Sequence, residues 1–241
     1  EVRRKLSLYT SVLPVEYRDH KINVLDAPGY TDFVGEMISA LSVADGAIIL
    51  VDAVAGIEVG TEIAWRYADE FNLPRFFVIN KMDRDNADFE KTFTAIEEFV
   101  LAHGKRVVKV HIPIGEKQNF KGVVDVIGMK AYMGDGKTIA EIPDDLKEAA
   151  QAAHFAMVED AAEGEDELME KYLENGSLTD AEMVRGLEDV VWAGQFVPIF
   201  CAAGAREIGI LALLNDIIDL IPSPLNAPKR VAQGKDGEEE L

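Results

Sequence analysis

The chain has 241 residues, of which 48% are hydrophobic, so it can bury a sizeable core in one large domain or in a domain with an insertion. Its formal net charge of −20 disfavours general nucleic-acid binding, so no DNA partner is expected and any RNA contact must use a local surface. Cys201 is the only cysteine, which excludes an intrachain disulfide and fits a cytoplasmic protein. The longest apolar runs are too short to cross a membrane.

The first hundred residues alternate between strand patterns and helix patterns. Alternating or continuous apolar runs predict strands at residues 6–17, 21–25, 47–51 and 75–79, of which the first two form a hairpin. The run at 47–51 is typical of a strand covered on both faces of a parallel sheet. Helical spacing predicts helices at residues 33–43, 58–71 and 88–101, the last with Asp88 as its N-cap. The alternation predicts an open α/β sheet with its ligand at the carboxyl ends of the strands.

The second hundred residues change character. Residues 107–133 are rich in β-formers split by glycines, and the segments at 143–172 and 179–191 are helical and acidic. Residues 141–191 contain 16 acidic and 3 basic residues, a net charge of −13. A buried strand at 196–201 and a helix at 208–220 resume the first pattern. The simplest organisation is a sheet domain at 1–106 and 192–222, an inserted α+β subdomain at 107–191 and a linker at 223–241.

The first chemical motif is Asp26-Ala27-Pro28-Gly29-Tyr30, which follows an apolar strand. A carboxylate at a strand end can hold Mg²⁺ through its water shell, because Mg²⁺ dehydrates reluctantly. Gly29 lets a backbone N–H approach a terminal phosphate with no Cβ in the way. An ordinary Asp-Ala-Pro-Gly turn explains the same residues, so this motif alone leaves both interpretations open.

The second motif is Asn80-Lys81-Met82-Asp83, at the end of a later strand. An Asp carboxylate accepts two hydrogen bonds from the N1–H and N2–H edge of guanine, which adenine cannot offer. Asn80 can bridge the base to a neighbouring loop, and the Lys81 stem can lie over the ring plane. Placed after the first motif, this one predicts guanine recognition.

Residues 131–138, AYMGDGKT, resemble a relaxed phosphate-binding loop. A working loop of that kind needs a helix N-terminus directly after it, whereas Pro143 blocks early helix propagation here. The segment therefore predicts a β-hairpin turn. An adenine-nucleotide enzyme that uses this loop is the alternative, and Asp83 argues against it.

Together the motifs resemble those of the GTPase domain of bacterial elongation factor G, and more closely those of the elongation factor G-like paralogues. The similarity covers nearly the whole chain and includes residues 26–33, 59–65, 74–84, 112–115, 122–126, 130–132, 171–174 and 220–224. Several of these segments belong to the insertion, which initiation and termination GTPases lack in this form. The resemblance implies a P-loop-GTPase-type open, mostly parallel sheet with helices on both faces, GTP/GDP and Mg²⁺ as cofactors, and ribosome-dependent GTP hydrolysis.

The resemblance also assigns site residues. Ser7 takes the position of a Mg²⁺-binding Thr, although the preceding residues 3–6 depart from the family pattern, and Asp26 is implied to bind Mg²⁺ through water. Ala203-Gly204 take the place of a Ser-Ala pair whose backbone N–H meets guanine O6. Tyr30, after Gly29, replaces the His that positions the attacking water.

Tyr30 does not titrate near pH 7 as His does. Slower or differently triggered hydrolysis is therefore expected, and a non-hydrolysing or slow GTP sensor that regulates the ribosome is the alternative.

The family's P-loop lies upstream of Glu1 by this resemblance, on a strand between those at 21–26 and 46–52. We expect two unpaired strand edges and weak GTP binding by these residues alone. The acidic insertion is implied to contact a ribosomal stalk protein, although a solvated acidic surface explains the same charge. Translocation, ribosome rescue and protection from an antibiotic stay open as specific roles.

Overall fold

The structure, a computed structural model, describes residues 6–226, 231–234 and 237–240. The strands are β1 (Ser11–Tyr17), β2 (His20–Asp26), β3 (Ala47–Asp52), β4 (Arg75–Asn80), β5 (Arg106–Lys109), β6 (His111–Ile114), β7 (Gly122–Asp125), β8 (Lys130–Met133), β9 (Thr138–Ala140), β10 (Phe196–Cys201), β11 (Val231–Gly234) and β12 (Gly237–Glu240). The α-helices are α1 (Val34–Leu41), α2 (Val59–Glu70), α3 (Phe89–Ala102), α4 (Lys147–Ala162), α5 (Asp166–Asn175), α6 (Asp180–Trp192) and α7 (Ile210–Leu220). The predicted departure from the family pattern at Arg3, Arg4 and Lys5 lies outside the described residues.

A four-stranded parallel sheet in the order β3-β4-β10-β5 forms the centre of the fold. Its register pairs Asp52 with Asn80 and Ile79 with Cys201, so the carboxyl ends of β3, β4 and β10 lie at one edge. The first five residues of β4 are buried, as expected of a central strand. The predicted open parallel sheet is confirmed.

Helices cover both faces of this sheet. On one face, α2 and α3 pack Trp65, Phe93 and Ile96 in the same buried cluster as Phe77 and Ile79 of β4. On the other face, α4, α6 and α7 contribute a second buried cluster that contains the alternate β4 residues Phe76 and Val78 together with Met157, Leu187 and Leu213. The helix predicted at 88–101 begins as expected, because the Asp88 side chain accepts the backbone N–H of Lys91.

One face of β3 departs from the prediction. Its residues alternate between buried and exposed, and Ile48 and Leu50 are 39% and 63% exposed. The expectation that residues 47–51 are covered on both faces is therefore wrong for the residues described. Within that part of the chain, β3 pairs only with β4, so its other edge is unpaired.

Strands β1 and β2 form the predicted hairpin as a separate two-stranded sheet. The turn residues Arg18 and Asp19 both have positive φ, of 48° and 59°, as a two-residue turn between twisted strands requires. The hairpin tip docks on α7, where Asn215 Oδ1 accepts hydrogen bonds from Tyr17 Oη at 2.9 Å and Arg18 at 3.2 Å. The hairpin is thereby fixed to the helix that follows the last sheet strand.

The inserted segment combines an antiparallel sheet, β6-β7-β8-β9, with helices α4, α5 and α6. Its predicted start at residue 107 lies inside β5, which pairs in parallel with β10 and so belongs to the central sheet. The helix predicted over 143–172 is two helices, α4 and α5, broken at Gly164. A Cβ at Gly164 would lie 2.6 Å from the Gly186 carbonyl oxygen, so the break lets the chain pass close to α6.

A buried hydrogen bond ties the insertion to α7. His111 of β6 is fully buried, and its Nε2 lies 3.0 Å from Asp216 Oδ2, while its Nδ1 lies 3.4 Å from the Cys201 carbonyl oxygen. Burial raises the pKa of Asp216 to about 6, against the hydrogen bond from His111, which lowers it. The imidazole thus joins the insertion to both β10 and α7.

The C-terminal segment predicted as a linker at 223–241 contains the antiparallel pair β11 and β12, so residues 231–234 and 237–240 form a hairpin within it. A hairpin escaped the sequence pattern because its strands carry mostly polar residues with no apolar alternation. Within the described residues, no helix has the length and apolar character needed to cross a membrane.

Candidate functional site

The loops that follow β4 and β10 are joined through one side chain. Asn80 Oδ1 accepts the backbone N–H of Lys81 at 2.8 Å and that of Gly204 at 3.0 Å. Asn80 and Gly204 are 124 positions apart in the chain, and the parallel pairing of β4 with β10 brings them together. Asn80 therefore holds the predicted guanine motif against the loop that carries Ala203 and Gly204.

The backbone N–H groups of Ala203 and Gly204 have different partners. The N–H of Ala203 donates to the Ile208 carbonyl oxygen at 3.0 Å, within its own loop. The N–H of Gly204 donates to the Asn80 side chain, which belongs to the predicted guanine motif. Of this pair, Gly204 is therefore the residue whose amide is bonded to the candidate site, and the assignment of both residues to a nucleotide stays a prediction.

Lys81 lies in the left-handed region with φ of 62°, and its ammonium Nζ is 2.7 Å from Asp52 Oδ2. Burial alone would raise the pKa of Asp52, but hydrogen bonds from Lys81 and from the backbone amides of Val54 and Ala55 together hold this pKa below its ordinary value. Asp52 was not predicted as a site residue. The signal was available, because Asp52 is the last residue of β3 as Asn80 is of β4.

An open cleft of about 330 Å³ lies beside this ion pair, lined by Asp52, Val54, Lys81, Arg84, Asp85 and Asn86. Asp83 is half-buried at its margin, and no described residue donates a hydrogen bond to its carboxylate. Met82, which lies between Lys81 and Asp83 in the chain and is 2% exposed, anchors this loop in the core. The motif thus places a carboxylate with unused acceptor oxygens on a firmly held loop.

The first motif lies at the end of β2. Asp26 is exposed, and Tyr30 is 61% exposed. A Cβ built on Gly29 would meet no atom within 4 Å, whereas a Cβ on Gly60 of α2 would lie 3.4 Å from the Gly29 carbonyl oxygen. The protein itself therefore leaves open space where a Cβ of residue 29 would lie.

Ser7 and Asp26 lie at the same end of the β1–β2 hairpin, because Ser11 pairs with Asp26 and Ser7 precedes Ser11 by four residues. An exposed carboxylate at a strand end fits a Mg²⁺ ion bound through water. Among the described residues, no group of three or more His, Cys, Asp or Glu is arranged to hold a metal directly. Mg²⁺ binding by Ser7 and, through water, by Asp26 stays a prediction.

The two motifs lie on different sheets, Asp26 on the β1–β2 hairpin and Asn80 on the central sheet. Helix α2 adjoins both, since it packs on β3 and its Gly60 contacts the loop at Gly29. The structure thus brings Asn80, Lys81, Asp83 and Gly204 together as one group. It leaves Ser7, Asp26, Gly29 and Tyr30 as a second group at the hairpin end.

The loop at 131–138 forms the predicted β-hairpin turn. Strands β8 and β9 flank it in antiparallel register, and a strand rather than a helix follows it. Lys137 is paired with Asp135 of the same loop at 2.8 Å. A Cβ at Gly136 would lie 2.6 Å from Leu211 Cβ, so this glycine serves close packing against α7.

Three comparisons show which known proteins the chain is similar to. The family model described as "Elongation factor Tu GTP binding domain" matches residues 1–223. Elongation factor G of Thermotoga neapolitana is 38% identical over 233 residues, covering 95% of this chain and 33% of that protein. Elongation factor G of Thermotoga maritima is 37% identical over 244 residues, covering 98% of this chain and 35% of that protein. A crystal structure of a protein from Thermus thermophilus matches with a TM-score of 0.84 and 30% identity, covering 99% of this chain and 41% of that chain. The chain thus spans about a third of the length of the curated relatives it matches.

Proposed function

The chain belongs to the family of the elongation factor Tu GTP binding domain, and we propose that it is the nucleotide-binding part of a ribosome-dependent GTPase of the elongation factor G type. One observation carries the proposal most directly: Asn80 joins the loops after β4 and β10 and so sets Asp83 and Gly204 around one edge of the sheet. Ligands of open parallel sheets bind at this edge.

Guanine recognition is the role of Asn80, Lys81, Asp83 and Gly204. The Asp83 carboxylate accepts the N1–H and N2–H donors of guanine, whereas adenine would leave it unpaired at a cost of about 1–3 kcal/mol. The Gly204 N–H donates to guanine O6 once Asn80 shares or releases it, and the Lys81 stem covers the ring. This arrangement selects GTP and GDP over ATP and ADP.

Phosphate and Mg²⁺ binding is the role of the hairpin end. Ser7 and, through water, Asp26 would hold a Mg²⁺ ion there, and the ion would supply positive charge against the phosphates. The backbone N–H of Gly29 binds the terminal phosphate. We propose that a P-loop strand from sequence outside these 241 residues lies between β2 and β3. The unpaired outer edge of β3 and the exposed side chain of Leu50 support this placement.

The hydrolytic step is in-line attack of water on the terminal phosphate, with rearrangement of residues 26–43 coupled to ribosome binding. Tyr30 orients the water through its hydroxyl. A second candidate function is a slow or non-hydrolysing GTP sensor that regulates the ribosome. Tyr30 favours this candidate, because it stands where the resembled family has a histidine, the side chain most often used for proton transfer.

The acidic insertion is the proposed contact for a basic ribosomal stalk protein in the cytoplasm. All three basic residues between 141 and 191, which are Lys147, Lys171 and Arg185, already pair with acidic residues of the same segment. The remaining carboxylates give the insertion an excess of negative charge. The complex should therefore weaken as salt rises, because exposed charge pairs are screened.

Phosphate release by the intact gene product tests the function. The measurement compares multiple turnover of GTP and ATP, with and without ribosomes. A ribosome-stimulated GTPase gives turnover of GTP that rises with ribosomes and is not matched by ATP. GTP binding without turnover would select the sensor function, and equal use of ATP would contradict both.

A further inference from the structure

An ion pair between Lys81 and Asp52 lies at the sheet edge where the proposed nucleotide binds. No role was predicted for Asp52 from the sequence. Lys81 Nζ and Asp52 Oδ2 are 2.7 Å apart, and their side chains are 51% and 25% exposed. The pair joins the ends of neighbouring strands, since Asp52 and Asn80 are register partners in β3 and β4. It lines the open cleft at the site margin.

Asp52 is held more firmly than the lysine that it binds. Its Oδ1 accepts the Val54 N–H at 2.8 Å, so the carboxylate bonds to Lys81 through one oxygen and to its own loop through the other. The following backbone is also fixed, because the Ala53 N–H donates to the Asn80 carbonyl oxygen at 2.9 Å. A lysine side chain loses up to about 2 kcal/mol of conformational entropy when it is ordered. The fixed carboxylate therefore selects one direction for a side chain that would otherwise sample many.

We infer that Asp52 is a positioning residue for guanine-nucleotide binding, which fixes the Lys81 ammonium so that the methylene stem presents one apolar side to the base. This inference rests on the proposed function. It extends that function by adding a residue from β3 to a site otherwise built from the loops after β4 and β10. Asp52 acts through Lys81 and does not itself contact the base.

The inference predicts a specific pattern of affinities. Removing the carboxylate charge with Asp52→Asn keeps an oxygen for the Val54 N–H but weakens the hold on Lys81. A partly exposed ion pair of this kind contributes little, so affinity for GDP should fall about two- to fivefold. Because the stem covers the ring face rather than reading its edge, affinity for IDP should fall by the same factor.

The experiment is a double-mutant cycle on the intact gene product, with GDP and IDP affinities measured by calorimetry. Lys81→Met keeps an unbranched stem and removes the ammonium. In the Lys81→Met background, Asp52→Asn should have no further effect, because Asp52 acts through that ammonium. Asp52→Glu, which restores the charge, should recover part of the affinity. Asp85→Asn is the matched control, since Asp85 lines the same cleft but pairs with Gln118.

The possible failures are distinguishable. Wild-type protein that binds no GDP would overturn both the proposed function and this inference. Wild-type binding with Asp52→Asn unchanged would overturn the inference alone. An equal loss from Asp52→Asn in the wild-type and Lys81→Met backgrounds would show that Asp52 acts independently of Lys81. A changed ratio of GDP to IDP affinity would likewise reject a role through the ring face.

Discussion

At the scale of single residues, Tyr30 sets the expected rate of hydrolysis. Its side chain is 61% exposed, beside Gly29 in open space at the end of the β2 loop. A phenol there can exchange one hydrogen bond with a water. Imidazole at the same position takes up or releases a proton near pH 7.

Tyr30→His should therefore raise ribosome-stimulated GTP turnover of the intact gene product by about tenfold or more, below the full effect of a positioned proton-transfer group. GTP affinity should change little, because the substitution leaves Asn80 and Asp83 in place. Single-turnover phosphate release with saturating ribosomes measures the rate, and Tyr67→His on α2 serves as the control. An unchanged or lower rate for Tyr30→His would show that Tyr30 does not slow the reaction.

Residue-level predictability depends on whether the partner is near in sequence. The Asp88 cap was readable from the sequence, because its acceptor role involves Lys91, three positions away. The Asn80–Gly204 contact and the Lys81–Asp52 pair were not, since each joins loops that only the parallel register of the sheet brings together. The hydrogen bond from the Ala203 amide to the Ile208 carbonyl oxygen was not readable either, because it depends on how the loop after β10 folds back on itself.

At the scale of elements, α4 carries a half-buried carboxylate, Asp160, with a raised pKa. Burial raises the pKa of Asp160 from 3.8 to about 6, against the attraction of Arg106, which lies 3.9 Å away. The native state therefore holds this proton more tightly than the unfolded chain does. The stabilisation is complete below a pH of about 4 and is lost as pH rises through about 6.

Asp160→Asn should remove this dependence, because the amide stays neutral. We expect a free energy of unfolding higher by about 1–2 kcal/mol at pH 7 and a smaller change between about pH 4 and 6 than in wild type. Arg106 keeps its second partner, Glu163. Urea unfolding across this range measures both effects, with Glu170→Gln on the exposed side of α5 as the control. A variant that is less stable than wild type at pH 7 would contradict the raised pKa.

Helix positions were largely predictable, and helix interruptions were not. The apolar spacing located α2, α3 and α7 to within about two residues. The break between α4 and α5 escaped the pattern, because it arises from a close approach to Gly186 of α6 rather than from local sequence. Likewise, the predicted insertion wrongly began inside β5. The pairing of β5 with β10 joins residues about 90 positions apart, so the local sequence carries no signal of it.

At the scale of the whole molecule, the central sheet has an unpaired edge at β3 within the described residues. Leu50 is 63% exposed on β3, and no described strand pairs with the outer edge of β3. Such an edge with apolar side chains beside it favours pairing with another chain. The continuous apolar run at 47–51 predicted a buried strand, and the remaining described residues do not supply its cover on one face.

These 241 residues, prepared alone, should therefore self-associate, and Leu50→Glu should reduce the association. Light scattering against protein concentration measures this, and Leu101→Glu is the matched control, because Leu101 is 64% exposed on α3, away from that edge. In the intact gene product, where the proposed P-loop strand covers this region, Leu50→Glu should instead lower the free energy of unfolding. If Leu50→Glu and Leu101→Glu associate equally, the surface that mediates self-association does not include Leu50.

The central claim is that the edge formed by Asn80, Asp83 and Gly204 recognises guanine, and exchanging the acceptor at Asp83 for a donor tests it most directly. Asp83→Asn offers an N–H where guanine has its N2–H donor and where xanthine has an oxygen. Affinities of the intact gene product for GTP and XTP, measured for wild type and variant, should show GTP preferred by wild type and XTP preferred by the variant. Unchanged preference for GTP in Asp83→Asn would contradict guanine recognition at this site.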